Sequence, residues 1–457
     1  MQENKSPTDA EKENRSVQTL KDSGWHQSRY NLFARVPGTN MTAAVNLYKG
    51  ICASLSLPEL YLYSEAENLP ADHPIFRRFR DRGLIANHDE REALYAAGRI
   101  SAAFGGAVNL TIAPTMGCNF DCPYCFEKHR AGKMSRKVQE DVSALAERML
   151  KASGAKAVNV TWFGGEPLLA KDVVGELTEK LLAVSEKYGA SYRADIITNG
   201  YLLDRETVDL LERAKVDEMQ ITIDGLQKTH DATRHLSGGG GTFERIVQNL
   251  RTLHIPFPVN IRQNLHEGNN EDRKPLEALV RALSEESGND LNYTSFYVRG
   301  NRASRERDSG ISFLQGRNRL EEALHRDAGN FHLKNGRFCG ASRLYSVGID
   351  EEGRLFKCWE NIDDPELSFG TADKWDPIFP FQSASMPDQL TRFLNTAPPF
   401  DDEECMNCVW LPVCYGGCPI FRLNGEKECV AYKNDPEAYV LALYRRMTQE
   451  QKEQKQE

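Results

Sequence analysis

The sequence lacks the features of a membrane, secreted or general nucleic-acid-binding protein. It has no run of about 18 uncharged apolar residues, which a transmembrane helix would need. Its first residues lack the apolar stretch of a secretory signal. Asp and Glu (66) outnumber Lys and Arg (57), and the net charge of -9 disfavours binding to nucleic-acid phosphates. We therefore expect a cytoplasmic protein with no membrane partner and no nucleic-acid partner.

Cysteine, by contrast, is abundant, with eleven residues in the chain. Because the cytosol keeps thiols reduced, we interpret them as metal ligands rather than as disulfides. Cys52 stands alone and is expected to act as a small buried hydrophobe. The other ten fall in three groups, which are Cys118, Cys122 and Cys125, then Cys339 and Cys358, then Cys405, Cys408, Cys414, Cys418 and Cys429.

The chain of 457 residues is long enough for several regions with separate cores. Residues 1–24 have almost no aliphatic side chains and are expected to be disordered. Residues 25–107 combine strand-like and helix-like runs, which indicates a small α+β domain. In residues 108–320, strand-like runs alternate with amphipathic helices, so this region is predicted to be an α/β domain with a parallel sheet. Residues 321–457 are rich in Cys, Gly and Pro, and we expect metal ions to stabilise them.

The first cysteine group lies in one loop after the strand-like run VNLTIAP. A zinc site is the simple alternative, although it usually requires a fourth ligand. Three thiolates separated by three and then two residues, with Tyr124 before the last, resemble the signature of the radical S-adenosylmethionine (SAM) superfamily. The resemblance implies a partial (β/α)6 barrel, a 4Fe-4S cluster on the three thiolates, and SAM bound at the iron that they leave open.

Short polar motifs follow the next strand-like runs, and the same resemblance assigns them to the cofactor. They begin with Gly-Gly-Glu-Pro at residues 164–167, where glycines would let the backbone approach SAM closely. The alternative is that these are ordinary turn residues and surface arginines with no role in cofactor binding. The cofactor contacts implied by the resemblance are Tyr124, Gly164, Gly165, Glu166, Pro167, Thr198, Asn199, Thr222, Asp224, Arg234, Arg262 and Asn264. No catalytic side chain is assigned.

The C-terminal cysteines resemble the seven-cysteine pattern of SPASM domains, which hold two auxiliary 4Fe-4S clusters. A zinc knuckle is the alternative. The resemblance assigns an outer cluster to Cys405, Cys408, Cys414 and Cys429, and an inner cluster to Cys339, Cys358 and Cys418. Two clusters would use eight thiolates, so the inner cluster either keeps one iron open for a substrate thiolate or takes another ligand such as His332.

Resemblance also indicates the reaction. SPASM-type radical SAM enzymes mostly modify peptides, and the run at residues 76–90 is compatible with a winged-helix-like domain that binds a leader peptide at a strand edge. Sulfatase-maturing enzymes, which form formylglycine, are the alternative. They place an Asp after the second SPASM cysteine, where this chain has Trp359 and Glu360. A non-enzymatic electron carrier is a third alternative.

The predicted function is therefore crosslinking of a ribosomally made peptide that carries a leader. A thioether is the expected product, and a carbon-carbon bond is the close variant. The implied cofactors are three 4Fe-4S clusters and SAM, with flavodoxin or ferredoxin as the low-potential electron donor. The sequence does not identify the peptide, the crosslinked residues, the fourth ligand of the inner cluster or the oligomeric state.

Overall fold

The fold was analysed in a computed structural model, which describes residues 19–266, 268–297, 339–377, 388–427 and 429–453. The predicted boundary between residues 320 and 321 lies outside this part of the chain, as does His332. Among the helices described, none combines the length and apolar character needed to cross a membrane.

The centre of the described structure is one twisted sheet of nine strands, in the order β11-β10-β9-β8-β7-β6-β12-β13-β14. Strands β6 to β11 are parallel neighbours that follow one another in chain order. The strands are β1 (His26–Gln27), β2 (Asn31–Arg35), β3 (Met41–Asn46), β4 (Ile51–Ser56), β5 (Ile85–Ala86), β6 (Ala107–Ile112), β7 (Ala157–Trp162), β8 (Ser191–Thr198), β9 (Val216–Thr222), β10 (Val259–Leu265), β11 (Leu291–Tyr297), β12 (Ser346–Ile349), β13 (Arg354–Phe356) and β14 (Gly370–Thr371). The predicted α/β class with a parallel sheet is confirmed.

Helices connect the parallel strands, as their amphipathic sequences predict. The helix before β7, for example, begins where the Ser135 hydroxyl accepts a hydrogen bond from the Val138 amide, and it ends at Gly154 with a φ of 63°. The α-helices are α1 (Leu57–Ser64), α2 (Ile75–Asp81), α3 (Glu90–Ala103), α4 (Arg136–Ser153), α5 (Lys171–Lys187), α6 (Arg205–Arg213), α7 (Gln227–Thr233), α8 (Phe243–Thr252), α9 (Arg273–Ser287), α10 (Asp388–Thr391), α11 (Glu403–Met406), α12 (Leu411–Cys414), α13 (Pro419–Leu423) and α14 (Pro436–Glu453).

The two faces of the parallel strands differ in burial. Along β6 and β7, buried aliphatic side chains alternate with half-buried polar ones, and Asn159 donates a hydrogen bond to Asn109 on the polar face. The aliphatic face belongs to the largest apolar cluster, which the helices cover. The polar face is therefore left for a ligand at the carboxyl ends of the strands.

The N-terminal region contains an antiparallel sheet in the order β2-β3-β4, followed by α1, α2 and α3. The prediction of disorder up to residue 24 is wrong for residues 19–24. The Leu20 side chain is only 2% exposed and packs in an apolar cluster with Phe76 and Phe79. Residues 1–18 lie outside the described part, and the likeness to a winged helix remains a prediction.

The N-terminal sheet shares an apolar cluster with the C-terminal region. Tyr30, which precedes β2, and Val45 of β3 belong to the same cluster as Trp410, Tyr439 and other C-terminal side chains. Helix α14 supplies part of this cluster and covers one face of β2 and β3. One of the two apolar clusters of the N-terminal region is therefore completed by C-terminal side chains, although the sequence indicated a separate domain.

Candidate functional site

The first cysteine group lies in the loop that follows β6. The Cys125 amide donates to the Cys122 carbonyl, and the Phe120 amide donates to the Cys118 sulfur at 3.4 Å. Burial raises the pKa of all three thiols, to about 12 for Cys118, and Cys122 acts on Cys118 and Cys125 in the same direction. A bound metal would offset this cost by favouring the thiolates.

His129 lies beside the same loop, with its Nε2 atom 3.7 Å from the Cys125 sulfur. Together with Glu127 these residues bring three ligand atoms within 4.8 Å of one another. Because this group uses Cys125, it is an alternative use of the same loop and not a second site. Iron and zinc are therefore to be distinguished by metal analysis.

The Gly-Gly-Glu motif packs against the backbone that leads into the cysteine loop. Gly165 donates its amide to the Thr115 carbonyl, and Glu166 donates its amide to the Gly117 carbonyl at 2.8 Å. A Cβ atom on Gly165 would lie 2.3 Å from the Gly117 oxygen, and one on Gly164, where φ is 105°, would lie 2.4 Å from the Thr115 oxygen. These glycines thus permit a close approach between two loops of the protein, whereas the sequence suggested an approach to SAM.

The Glu166 carboxylate joins this motif to the end of β8. It accepts hydrogen bonds from the Thr198 hydroxyl at 2.7 Å, the Asn199 amide at 2.8 Å and the Leu168 amide. Pro167 begins the short 3-10 turn that follows. Burial raises the pKa of Glu166, and the three donors act against it. Because both of its carboxylate oxygens accept hydrogen bonds from the protein, the described contacts give Glu166 a positioning role. Its contact with SAM stays a prediction.

Tyr124 is the centre of a buried polar network around the cysteine loop. Its hydroxyl donates to the Asp224 carboxylate and accepts from Arg234 at 2.8 Å and from Asn264 at 3.4 Å. Asp224 and Arg234 are at least nine-tenths buried, so each charge requires the other. The loop is thereby fixed to the ends of β9 and β10.

The remaining predicted SAM contacts lie on the same strand ends. Thr222 of β9 is paired in register with Arg262 of β10. The Arg262 guanidinium donates to Asn264 at 3.0 Å and stacks over the Phe296 ring at 4.5 Å. The structure therefore brings together the strand-end residues that the sequence assigned to one cofactor.

Three buried polar atoms near this network have no hydrogen-bond partner within the described residues. They are Arg234 Nε, Asn119 Nδ2 and His266 Nε2. Buried donors normally have partners, so they fit a site that is completed by a polar cofactor such as SAM. His266 was missed in the sequence, although it follows Asn264 at the two-residue spacing of a strand face.

The four cysteines assigned to the outer cluster line one cavity, together with Trp410, Gly416, Lys427 and Lys433. The four are Cys405, Cys408, Cys414 and Cys429. Their sulfurs accept hydrogen bonds or face cations: Arg422 lies 3.4 Å from Cys405, and Lys433 lies 3.6 Å from Cys429. Four thiols in one cavity with nearby cations fit an anionic metal-thiolate cluster.

Cys339, Cys358 and Cys418, which the resemblance assigned to the inner cluster, form a third group in space, and Cys339 acts on the charge of both other thiols. Burial raises the pKa of all three thiols. Lys357, which the sequence analysis did not single out, is buried beside them. Burial lowers its pKa to about 7, while the neighbouring cysteines act in the opposite direction.

No disulfide joins any of the eleven cysteines, all of which lie in the described part. Cys52 lies on β4 and packs against the apolar cluster shared by the N- and C-terminal regions. Burial raises its pKa to about 11, which is consistent with a neutral, apolar role.

An aromatic stack connects the first and third cysteine groups. Phe126 follows Cys125, Phe163 follows β7, and Trp359 follows Cys358. The Phe126 and Phe163 rings are stacked with centroids 6.3 Å apart, and Phe163 and Trp359 are stacked at 5.4 Å. Trp359 is 45% exposed, so the stack presents an apolar surface between the two groups.

Comparisons with known proteins agree with this geometry. Residues 112–283 match the Radical SAM superfamily. The chain is 26% identical over 366 residues to the Fe-coproporphyrin III synthase of Methanosarcina barkeri, covering 71% of this chain and 86% of that protein. It is 24% identical over 344 residues to the PqqA peptide cyclase of Granulibacter bethesdensis, covering 70% and 86%.

A solved structure has the same fold. Native anSMEcpe with bound AdoMet superimposes with a TM-score of 0.53 at 17% identity, covering 74% of this chain and 98% of that one. The predicted radical SAM fold is confirmed for the central sheet. A radical SAM domain binds a 4Fe-4S cluster and SAM, which agrees with the cysteine loop and the strand-end residues.

Proposed function

We propose that this protein is a radical SAM enzyme that crosslinks a ribosomally made peptide. Residues 112–283 are its radical SAM domain. A thioether is the proposed product, and a carbon-carbon bond is the close variant. The observation that carries the peptide assignment is the N-terminal antiparallel sheet, because strand edges recognise extended peptide backbone. The name of the relative PqqA peptide cyclase gives further support.

The geometry of the site supports the proposed cofactor residues. Cys118, Cys122 and Cys125 would hold a 4Fe-4S cluster, and SAM bound there, given one electron from the low-potential donor, would supply a 5′-deoxyadenosyl radical for hydrogen abstraction from a peptide carbon. Tyr124 and Asp224 fix the loop, and the orphaned donors named above are available to the polar groups of SAM. The buried surroundings exclude water, which protects a radical from side reactions.

The seven C-terminal cysteines are proposed to hold two auxiliary clusters, which would accept the electron released when the new bond forms. The support is their arrangement, with four thiols in one cavity and three around Lys357. Because the inner group has three thiols, a substrate thiolate is the proposed fourth ligand. A cluster there would keep such a thiolate deprotonated, which is the form that bonds to a carbon radical.

The leader is proposed to dock on the outer edge of β2. The Tyr30 carbonyl accepts from Leu47 and the Val36 amide donates to Met41, so even-numbered residues of this strand bond to β3. The odd-numbered residues, such as Phe33, direct their backbone groups to the other side. On the opposite edge the Ser54 carbonyl already accepts from Arg82, which makes β2 the more available edge.

A tetrapyrrole is the second candidate substrate, because Fe-coproporphyrin III synthase is also a relative. Sulfatase maturation has less support, since the likeness to anSMEcpe at 17% identity concerns the fold alone. A tetrapyrrole has no extended backbone to pair with the edge of the N-terminal sheet, so this edge favours a peptide substrate.

The test is an anaerobic assay of the reconstituted enzyme with SAM and dithionite, or with flavodoxin or ferredoxin as the proposed physiological donor. The substrates would be short peptides encoded beside this gene, with a tetrapyrrole precursor of iron-coproporphyrin III as the competing substrate. Crosslinking removes two hydrogens from the peptide, which mass spectrometry would detect, and a thioether would also remove one alkylatable thiol. Turnover of the tetrapyrrole with no change in any peptide would contradict the proposal.

A further inference from the structure

Lys357 is a buried cation at the third cysteine group. It lies between β13 and Cys358 and is only 4% exposed. The ammonium group donates to the backbone carbonyl of Arg343 and, at 2.6 Å, to that of Ser346. These two carbonyls fix its position at the start of β12.

The charge of Lys357 has no carboxylate partner among the described residues. The charged groups that act on it are the sulfurs of Cys339 and Cys358. Carbonyl dipoles solvate a buried ammonium group without neutralising it, and an unpaired buried charge is costly. A net negative charge on the neighbouring cysteines in the working protein would therefore explain why a lysine is buried at this position.

We propose that Lys357 is the fixed counter-ion of an anionic iron-sulfur cluster on Cys339, Cys358 and Cys418, and that it raises the reduction potential of this cluster. The inference rests on the part of the proposed function that assigns a cluster to these thiols. Reduction adds one negative charge to the cluster. A cation held nearby in a medium of low dielectric stabilises that added charge. The same attraction favours an anionic fourth ligand such as a thiolate.

The outer cysteine group provides a contrast within the chain. Its cations all have carboxylate partners: Lys427 and Lys433, whose side chains are 38% and 34% exposed, pair with Glu404, and Arg422, whose side chain is 9% exposed, pairs with Asp402. These carboxylates offset the positive charges, whereas Lys357 has no carboxylate partner among the described residues. Lys357 is therefore expected to affect the inner cluster selectively.

The test is a redox titration of the full-length, anaerobically reconstituted protein, followed by electron paramagnetic resonance. The inner-cluster signal is assigned by its absence from a Cys339→Ala, Cys358→Ala variant. Lys357→Met is expected to shift the midpoint potential of that signal to more negative values and to leave the other two unchanged. Lys357→Arg, which keeps the charge, and Lys374→Met, which alters an exposed lysine, are expected to match the wild type.

Glu360 supplies a control of opposite sign, because its charge acts on all three cysteines of the group. Glu360→Gln is expected to shift the same signal to more positive potentials. Shifts of Lys357→Met and Glu360→Gln in the same direction would overturn the charge explanation. So would equal shifts of Lys357→Met and Lys357→Arg, since these would indicate packing.

Cluster loading supplies a second readout. Loss of only the inner cluster in Lys357→Met, with full iron in Lys357→Arg, would support the counter-ion role, and loss in both variants would overturn it. A wild-type protein without a third cluster would also overturn the inference. If the potential shifts as expected and no peptide is modified, the counter-ion role holds and the proposed reaction fails.

Discussion

The first cysteine loop and the C-terminal cysteine region both offer thiolate ligands, but different structural elements hold the cysteines in place. The loop at Cys118 follows a buried parallel strand and is fixed by the Tyr124 and Glu166 networks. Cys405 and Cys414 lie on the short helices α11 and α12, and the apolar cluster behind them is shared with the N-terminal sheet. The first site is built mainly from the ends of the parallel strands, with Arg130 of its loop also paired with Asp350 and Glu351, whereas the second depends on the distant N-terminal sheet.

Because the two regions are held in place differently, a bound metal is expected to contribute differently to the folding of each region. The first loop has backbone and side-chain contacts that hold its shape without a cluster. The C-terminal helices α11, α12 and α13 have four or five residues each, which is too short for stability without tertiary support. We therefore expect the metal to be needed mainly for chemistry at the first site, and for both folding and chemistry at the second.

The largest expected effects come from removing each set of ligands. Replacing Cys118, Cys122 and Cys125 with Ala should abolish SAM cleavage and remove about a third of roughly twelve irons, because each cluster holds four. The far-UV circular dichroism should stay near that of the wild type. Release of 5′-deoxyadenosine and the iron content measure the outcome.

The matched variant replaces Cys405, Cys408 and Cys414 with Ala. It should also lose about a third of the iron, but it should keep SAM cleavage without peptide and become sensitive to proteases near α11 to α13. Equal protease sensitivity of the two triple variants would remove the distinction between the regions. Zinc in place of iron after anaerobic purification would contradict both assignments.

A smaller effect is expected from one methyl group at the first site. Gly165→Ala would place a Cβ atom 2.3 Å from the Gly117 carbonyl oxygen, which must then move. Such overpacking costs on the order of 3 kcal/mol and should displace the cysteine loop. Gly238→Ala is the control, since its Cβ would have no atom within 4 Å. A melting temperature of Gly165→Ala equal to that of the control would show that the loop is less rigid than described.

Much of the first site could be predicted because its signals are local. The spacing of Cys118, Cys122 and Cys125 and the short motifs after each strand are read directly from the sequence. The role of Glu166 could not be read in this way, because its partners Thr198 and Asn199 lie more than thirty residues away. A motif identifies the residue, and the contacts that satisfy its charge depend on the folded sheet.

The support of the C-terminal region was less predictable. The sequence places Tyr30 and Trp410 at opposite ends of the chain, and no periodic pattern indicates that they share a cluster. Lys357 was missed for a related reason, since a lysine before a cysteine is usually a surface residue. Only burial against Arg343 and Ser346 distinguishes it.

The N-terminal sheet therefore has two uses, and a strand-edge variant separates them. Phe33→Pro removes an outward amide of β2 and no bond to β3, so the shared apolar cluster should remain intact. Binding of the precursor peptide is expected to weaken about tenfold, which corresponds to about 1.4 kcal/mol, while SAM cleavage without peptide stays unchanged. Phe33→Ala, which keeps the amide, is the control. Equal affinities of the two variants would locate the leader elsewhere. Deleting residues 1–100 is a poorer test, because it would also remove half of the cluster around Trp410.

The smallest expected effect is that of Cys52→Ala. This variant tests whether Cys52 is the eighth thiolate that two auxiliary clusters would use. Cys52 lies on β4 opposite Val45 and packs against the shared cluster, where burial raises its pKa to about 11. A neutral thiol in this position contributes by filling space, so its removal should cost about 1 kcal/mol of stability. The iron content and the potentials of all three clusters should stay at wild-type values. A loss of iron, or a change in the inner-cluster signal, would identify Cys52 as the missing ligand, and the vacant iron proposed for a substrate thiolate would then not exist.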